Sequence, residues 1–194
     1  MTDAPTISAL RPVGIAPGRL VLVVGPSGAG KDTLIRLAQA ACGGDCNIVF
    51  PRRVVTREAT SFEDNEQVSP ETFRQALARG DFAVHWQAHG HCYALPRAIN
   101  ADIAAGRTVV ANVSRTVVAT MRSTYAAVVV VSVTAPPEIL AERLAARARD
   151  SDGRIADRLD RAVEGVAAAP DVTIINVGSV EDHARRLAQI IRGG

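Results

Sequence analysis

Short apolar runs alternate along this chain with segments in which apolar residues recur at every third or fourth position. The runs lie at 20–24, 109–113, 127–133 and 173–177 and are rich in valine and isoleucine, as is typical of strands buried on both faces of a sheet. Helical spacing is found at 33–42, 115–124, 138–149, 154–168 and 180–192. Strands that alternate with helices predict an α/β fold, in which a parallel sheet flanked by helices binds ligands at the carboxyl ends of its strands.

The segment 50–96 breaks this alternation. It contains two half-polar runs, at 52–56 and 81–86, and an amphipathic helix is predicted over 70–79. We interpret about 50–96 as a small inserted lobe that binds substrate.

Two other segments differ from the predicted core. Residues 1–18 contain Pro5, Pro12 and Pro17 without periodicity and are predicted to form a flexible extension. The arginine-rich stretch at about 143–158 is a candidate lid. The remaining organisation is one domain over 19–194, with its core at 19–49 and 97–194.

A glycine-rich loop follows the first predicted strand and contains the only lysine among the 22 Lys and Arg residues. It reads Gly25-Pro26-Ser27-Gly28-Ala29-Gly30-Lys31-Asp32-Thr33, which contains the G-x-x-x-x-G-K pattern of a phosphate-binding loop. Glycines let the backbone wrap around phosphate groups, and N–H groups at the start of the next helix supply positive potential. A compact ammonium reaches the β- and γ-phosphates of a nucleotide better than a guanidinium does. The loop therefore predicts a nucleotide-phosphate site rather than a structural turn.

Composition narrows the class of protein. The chain has 194 residues and a net charge of +2, which gives no general reason to expect nucleic acid or a membrane as a partner. No apolar run approaches the roughly 20 residues that span a bilayer, and no signal sequence is evident, so a cytoplasmic location is expected. Cys42, Cys46 and Cys92 are predicted to be reduced thiols, since their spacing with His89 and His91 matches no common zinc site.

Arginines are concentrated around an Asp-Ser-Asp-Gly break, where the chain has Arg143, Arg147, Arg149, Arg154 and Arg158. One interpretation is a solvated helical face with ion pairs. The other is a lid that brings guanidinium groups onto a transferred phosphoryl group. The phosphate-binding loop elsewhere in the chain favours the lid.

A second set of arginines, Arg52, Arg53 and Arg57, lies in the predicted lobe together with Tyr93. Guanidinium forks and a phenol hydroxyl are suited to a second phosphate group, and surface salt bridges and a packed ring are the structural alternatives. The sequence has no evident catalytic carboxylate base, which transfer to an alcohol usually needs. A phosphate acceptor is already anionic at neutral pH, so this inventory favours transfer from phosphate to phosphate.

From residue 19 onwards the chain resembles the guanylate kinase-like branch of P-loop kinases. The matching segments are 25–33, 55–57, 68–73, 80–82, 89–93 and the lid pattern over 143–159. The resemblance implies that Arg57 and Tyr93 hold the phosphate of the acceptor. It also implies that Arg147 and Arg158 act on the transferred group together with Lys31.

The departures from guanylate kinases concern the guanine site. Val84 stands where those enzymes have an acidic residue that reads the base, and Leu95-Pro96 replaces a threonine or serine. An expected tyrosine and a second arginine fall at Asn65 and Thr60, whereas Arg53 is an additional arginine. An apolar Val84 would leave guanine donors unpaired, at a cost of about 1–3 kcal/mol each.

These substitutions resemble the ribose 1,5-bisphosphate phosphokinase family. The shared features are Gly30-Lys31-Asp32-Thr33, the arginines at both ends of 53–57, residues 85–93 and Asn112-Val113-Ser114-Arg115. His85 and Cys92 are modest departures. The resemblance implies that ATP phosphorylates ribose 1,5-bisphosphate to 5-phosphoribosyl 1-diphosphate, in phosphonate catabolism. Its implied phosphosugar-binding residues are Arg53, Arg57, Tyr93, Asn112 and Arg115. Guanylate kinase is the first alternative, and a non-catalytic binding module is the second.

Asp32 occupies the position after the lysine, where the loop usually has a Ser or Thr that coordinates Mg²⁺. On the middle strand, Asn112 stands where an acidic metal partner is common. We expect Asp32 to help hold Mg²⁺, with Thr33 as the competing ligand. The structural alternative is a carboxylate that stabilises the start of the helix through its dipole.

Overall fold

The computed structural model describes residues 14–57, 64–148 and 169–193, and in them strands form two sheets. The strands are β1 (Arg19–Val24), β2 (Ile48–Val49), β3 (Arg53–Val55), β4 (Asn65–Gln67), β5 (Phe82–Ala88), β6 (His91–Pro96), β7 (Thr108–Asn112), β8 (Val128–Thr134) and β9 (Val172–Ile175). The larger sheet is parallel, in the order β2-β7-β1-β8-β9, and the smaller one has the order β4-β3-β6-β5. The parallel sheet confirms the predicted α/β class.

Helices cover both faces of the parallel sheet. They are α1 (Lys31–Cys42), α2 (Pro70–Arg79), α3 (Ile99–Ala104), α4 (Val118–Thr124), α5 (Pro137–Ala148) and α6 (Val180–Arg192), with a 3₁₀ turn at Arg115–Val117. Alternate side chains of β1 enter opposite cores. Leu22 packs with residues of α3 and α4, whereas Val23 packs with residues of α1 and α6.

The central position of β1 places the glycine-rich loop beside the end of β7. The two strands are parallel, and Val23 is in register with Asn112. Because the loop leaves β1 one residue later, Asn112 and the start of α1 meet at the carboxyl edge of the sheet. This is the edge at which ligands bind in such sheets.

The smaller sheet has one face on the main core and one face under α2. Val55, Trp86 and Tyr93 belong to the same buried cluster as Leu22. On the other face, Phe73 of α2 packs with Val54 and Ala94. The helix begins where predicted, since the Ser69 side chain accepts a hydrogen bond from the Thr72 N–H and proline occupies its first turn.

Most long elements lie within a residue or two of their predicted bounds, but β6 and several short elements were not predicted. β2 has two residues and β4 three, so pairing with a neighbouring strand defines them rather than periodicity. The short helix α3 was also missed. The helix predicted at 154–168 lies outside the described residues.

The boundary predicted at residue 18 for the flexible extension needs correction. Ile15 forms a β-bridge with Tyr125, and its N–H donates to the carbonyl of Thr124 at 2.9 Å. The Gly18 N–H donates to the carbonyl of Ile103. Residues 15–18 therefore pack on the domain because backbone hydrogen bonds attach them to α3 and α4. Within the described residues, no helix combines the length and apolar character needed to cross a membrane.

Candidate active site

The glycine-rich loop connects β1 to α1 and has a backbone that side chains would obstruct. Gly25 has φ of +143°, and a Cβ built on it would lie 1.9 Å from the carbonyl oxygen of Val133. Gly30, with φ of +84°, directly precedes α1. The loop therefore wraps around the N-terminus of α1, where backbone N–H groups and the helix dipole favour an anion.

Lys31 is the first residue of α1, and its side chain turns back over the loop. Its Nζ donates to the carbonyl oxygens of Gly25 and Pro26, at 2.9 and 2.8 Å. These bonds hold the ammonium above the loop, where the sequence predicts phosphate groups. The position fits the predicted role of Lys31.

Two side chains from more distant elements support the loop from behind. The buried Asn176 donates from Nδ2 to the carbonyl of Ala29 at 2.8 Å. Arg143 of α5 donates to the carbonyl of Asn176 at 3.1 Å and makes a longer contact, 3.5 Å, with that of Gly28. We call Asn176 and Arg143 the loop bracket. Arg143, at the beginning of the predicted lid, thus contacts the loop from within α5.

Asp32 contacts residues of both sheets. Its Oδ1 accepts a hydrogen bond from Asn112 Nδ2 at 2.7 Å and lies 3.4 Å from an amino nitrogen of Arg53. Arg53 in turn donates from Nε to Asn65 Oδ1 at 3.2 Å. A continuous series of polar contacts therefore runs from β7, through the first turn of α1, to β3 and β4 of the lobe.

A cleft of about 360 Å³ lies between the loop and the smaller sheet. The predicted residues that line it are Gly25, Pro26, Ser27, Gly28, Gly30, Lys31, Asp32, Arg53, Arg57, Tyr93, Asn112 and Arg115. The structure thus brings the predicted phosphosugar residues to the same cavity as the loop. Among the described residues that line it, Asp32 is the only carboxylate and four side chains carry permanent positive charge. Such a cavity favours highly anionic ligands.

Aromatic side chains contribute to the wall of the cleft opposite the loop. Trp86 and Tyr93 are stacked across the β5–β6 pair, with ring centroids 5.7 Å apart and planes within 9°. Val84 of β5 is buried in the main core. The apolar side chain therefore contributes to packing.

Some predicted site residues do not line the cleft or lie outside the described part of the chain. Ala29 is buried under the loop. Thr33 is not among the described residues that line the cleft. The side chain of Arg147 and the whole of Arg158 lie outside the described part of the chain. Their predicted contact with the transferred group stays a prediction.

Three residues with clear structural roles were not singled out from the sequence as site residues. Trp86 was noted only within a motif, although an alternating strand opposite Tyr93 could have indicated a cross-strand pair. Asn65 and Asn176 are buried amides whose partners are distant in sequence, and no local pattern indicates them.

Within the described residues, the thiols belong to no group of three or more His, Cys, Asp or Glu side chains that could hold a metal ion. Cys42, Cys46 and Cys92 are free, and burial raises the pKa of the Cys42 thiol. A raised pKa keeps a thiol protonated and unreactive.

Comparison with known proteins agrees with this geometry. Residues 21–164 match the family described as an AAA domain. The ribose 1,5-bisphosphate phosphokinase of Bradyrhizobium diazoefficiens is 62% identical over 192 residues, which are 99% of this chain and 97% of that protein. The enzyme of the same name from Rhodopseudomonas palustris is 64% identical over 180 residues, 93% of this chain and 91% of that protein. A guanylate kinase from Anaplasma phagocytophilum has a similar fold, with a TM-score of 0.66 at 24% identity over 95% of this chain and 87% of that one.

Proposed function

The chain belongs to the ribose 1,5-bisphosphate phosphokinase family, and on that premise we propose that its cleft transfers the γ-phosphoryl group of ATP to the 1-phosphate of ribose 1,5-bisphosphate. The products are 5-phosphoribosyl 1-diphosphate and ADP. The observation that carries the proposal is a single cleft with a phosphate-binding loop on one wall and Arg53, Arg57 and Tyr93 on the other.

The transfer makes one bond and breaks another. An oxygen of the acceptor's 1-phosphate bonds to the γ-phosphorus, and the bond from that phosphorus to the oxygen shared with the β-phosphorus breaks. The acceptor oxygen is already anionic at neutral pH, so no base has to remove a proton. Positioning and charge stabilisation then supply the rate enhancement.

Each residue of the cleft has a role that follows from its place. Lys31 lies above the loop and neutralises charge on the β- and γ-phosphates. Arg57 and Tyr93 hold the reacting phosphate of the acceptor, on the opposite wall, and Arg115 adds positive charge beside Asn112. Arg147 and Arg158 would act from the predicted lid.

The oxygen atoms of Asp32 and Asn112 fit a hard divalent cation. Mg²⁺ prefers oxygen ligands and is commonly held by one or two carboxylates together with substrate phosphates. Asp32 presents a carboxylate beside the phosphate-binding loop, and Asn112 fixes one of its oxygens. Mg²⁺ bound there would neutralise charge on the phosphate groups.

The proposed acceptor is tested with purified protein, ATP and Mg²⁺, by separating the products on an anion-exchange column. We expect ribose 1,5-bisphosphate to be phosphorylated with a kcat/KM at least ~100-fold above that for GMP, because guanine donors would be left unpaired. Lys31→Met serves as the control for contaminating kinases and should be inactive with both acceptors. Efficient phosphorylation of GMP alone would identify a guanylate kinase, and no transfer to either would favour a binding module.

A further inference from the structure

Arg53 and Arg57 both line the cleft, Arg53 from the first position of β3 and Arg57 from the bend that follows this strand. Pairing with β6 continues past β3, since the Thr56 N–H donates to the Cys92 carbonyl at 3.0 Å. Val54, on the opposite face, packs with Phe73 under α2. The lobe therefore presents two guanidinium groups to the cleft.

The surroundings of Arg53 differ from those of a surface arginine. Its side chain is 14% exposed, and a charge so far removed from water needs partners of opposite polarity. Asn65, itself 6% exposed, accepts from its Nε on the lobe side. On the loop side the partner is Asp32.

The contacts of Arg53 with Asn65 and with Asp32 are not equivalent. The bond to Asn65 is 3.2 Å long and lies within the lobe, between β3 and β4. The contact with Asp32 is 3.4 Å long, beyond the usual length of a charged hydrogen bond. A phosphate group accepts shorter, paired bonds from a guanidinium. An anionic ligand in the cleft can therefore replace Asp32 while Asn65 keeps its contact.

We propose that Arg53 binds the phosphate of the acceptor that is not phosphorylated, and that Asn65 is its positioning residue. The inference rests on the proposed function, because a bisphosphorylated sugar brings one phosphate group for Arg57 and Tyr93 and a second one for Arg53. In the absence of acceptor, Asp32 supplies the countercharge. Arg53 is then the residue that distinguishes a bisphosphate from a monophosphate acceptor.

The test is calorimetric titration of the nucleotide-free protein with ribose 1,5-bisphosphate and with ribose 1-phosphate, which lacks the second phosphate. In Arg53→Met we expect the Kd for the bisphosphate to rise about 10- to 100-fold, as loss of a charged hydrogen bond predicts. The Kd for ribose 1-phosphate should change less than about threefold. Asn65→Ala should also raise the Kd for the bisphosphate more than the Kd for ribose 1-phosphate, and kcat at saturating acceptor should be retained.

Two further variants give the test its controls. Arg74→Met changes an arginine of α2 that pairs with Glu71 at the surface, where the two side chains are 73% and 62% exposed; it should leave the discrimination unchanged. Asp32→Asn removes the competing countercharge, so it should tighten binding of the bisphosphate more than that of ribose 1-phosphate. This gain keeps the test decisive if Arg53→Met does not fold, since a destabilised protein would not bind more tightly.

The result that overturns the inference is an equal loss of affinity for both ligands in Arg53→Met, or a loss of discrimination in Arg74→Met instead. If Arg53→Met does not fold, the inference is overturned by an Asp32→Asn variant that binds neither ligand more tightly, or that binds both more tightly by the same factor. Failure of the proposed function gives a different result, because the unsubstituted protein would then neither prefer nor phosphorylate the bisphosphate.

Discussion

Lys31 is a residue that chemical modification can address almost alone, because the chain has no other lysine. Acylation of its amine removes the positive charge that the loop holds beside the phosphates. We predict that an amine-directed acylating reagent inactivates the protein and that ATP protects it. Peptide mass spectrometry should show that loss of activity parallels modification of Lys31.

The α-amino group provides the internal control for that experiment. In the ATP-protected sample it should be acylated while activity is kept. Complete acylation of Lys31 with full activity would contradict the role assigned to its charge.

Asp32 and Thr33 compete for the role of metal ligand, and the structure favours Asp32 because it lines the cleft and is fixed by Asn112. We predict that Asp32→Asn weakens Mn²⁺ binding to the ADP complex by about tenfold or more, and Asn112→Ala by a similar or smaller factor. Water proton relaxation by Mn²⁺ measures this affinity without turnover.

Thr33→Val is the matched control in the neighbouring position. It should leave the Mn²⁺ affinity unchanged. An unchanged affinity in Asp32→Asn would leave that carboxylate only the role of stabilising the start of α1.

At the scale of residues, a site residue could be predicted only where the residues that define its role are close to it in sequence. Lys31 and Asp32 were identified because the loop is contiguous and its spacing is diagnostic. Asn176 bonds to the carbonyl of a residue 147 positions away, and Arg53 reaches Asp32 across 21 positions. Such partners are set by the fold, and no local spacing encodes them.

At the scale of elements, the loop bracket ties the phosphate-binding loop to α5 and to the segment after β9. A Cβ on Gly30 would lie 2.5 Å from Asn176 Nδ2, and its φ of +84° is itself unfavourable for other residues. We predict that Gly30→Ala lowers the melting temperature and weakens ATP binding at least ~10-fold. Calorimetry measures both quantities.

Gly44→Ala separates the two causes. Gly44 also has a positive φ, of +75°, but a Cβ there would meet nothing within 4 Å. It should show the backbone penalty alone, with ATP binding kept. Adding Asn176→Ala to Gly30→Ala should recover part of the stability if the clash matters; no recovery would mean that the backbone strain dominates.

Prediction of elements was most accurate where length and periodicity agreed. β1 was predicted from five apolar residues, and α2 from its amphipathic period. β2 and β4 exist because neighbouring strands pair with them, at Ile48↔Thr108 and Arg53↔Asn65. Pairing of this kind belongs to tertiary structure, so a sequence window does not show it.

At the scale of the whole molecule, Tyr125 links the N-terminal residues to the core. It also makes the free energy of unfolding depend on pH in the alkaline range. Its hydroxyl donates to Asn100 Oδ1 at 2.6 Å, and burial raises its pKa to about 12 from the ordinary 10. The folded protein therefore holds this proton more tightly than the unfolded chain does. The contribution is fully present below pH 10 and is lost as the pH rises toward 12.

We predict that the free energy of unfolding, measured with urea, falls between pH 10 and 12, and that Tyr125→Phe makes this fall less steep. The phenylalanine variant keeps the ring and lacks the titrating group. Equal slopes in the two proteins would show that Tyr125 does not titrate differently on folding.

The two-part architecture could be predicted in outline but not in its packing. The interrupted alternation at 50–96 indicated an insertion, and the smaller sheet lies there. The sequence did not indicate that Val55, Trp86 and Tyr93 would join the main core, because burial on one face of a short, half-polar strand depends on what it packs against. The cleft between the loop and the lobe follows from that packing.

The most direct measurement is phosphorus NMR of ribose 1,5-bisphosphate incubated with the protein, ATP and Mg²⁺. We predict that the 1-phosphate signal is replaced by the coupled pair of a diphosphate, that the 5-phosphate signal stays a monophosphate, and that one ADP forms for each diphosphate. Formation of ADP and free phosphate with an unchanged sugar, or a diphosphate at position 5, would contradict phosphorylation of the 1-phosphate.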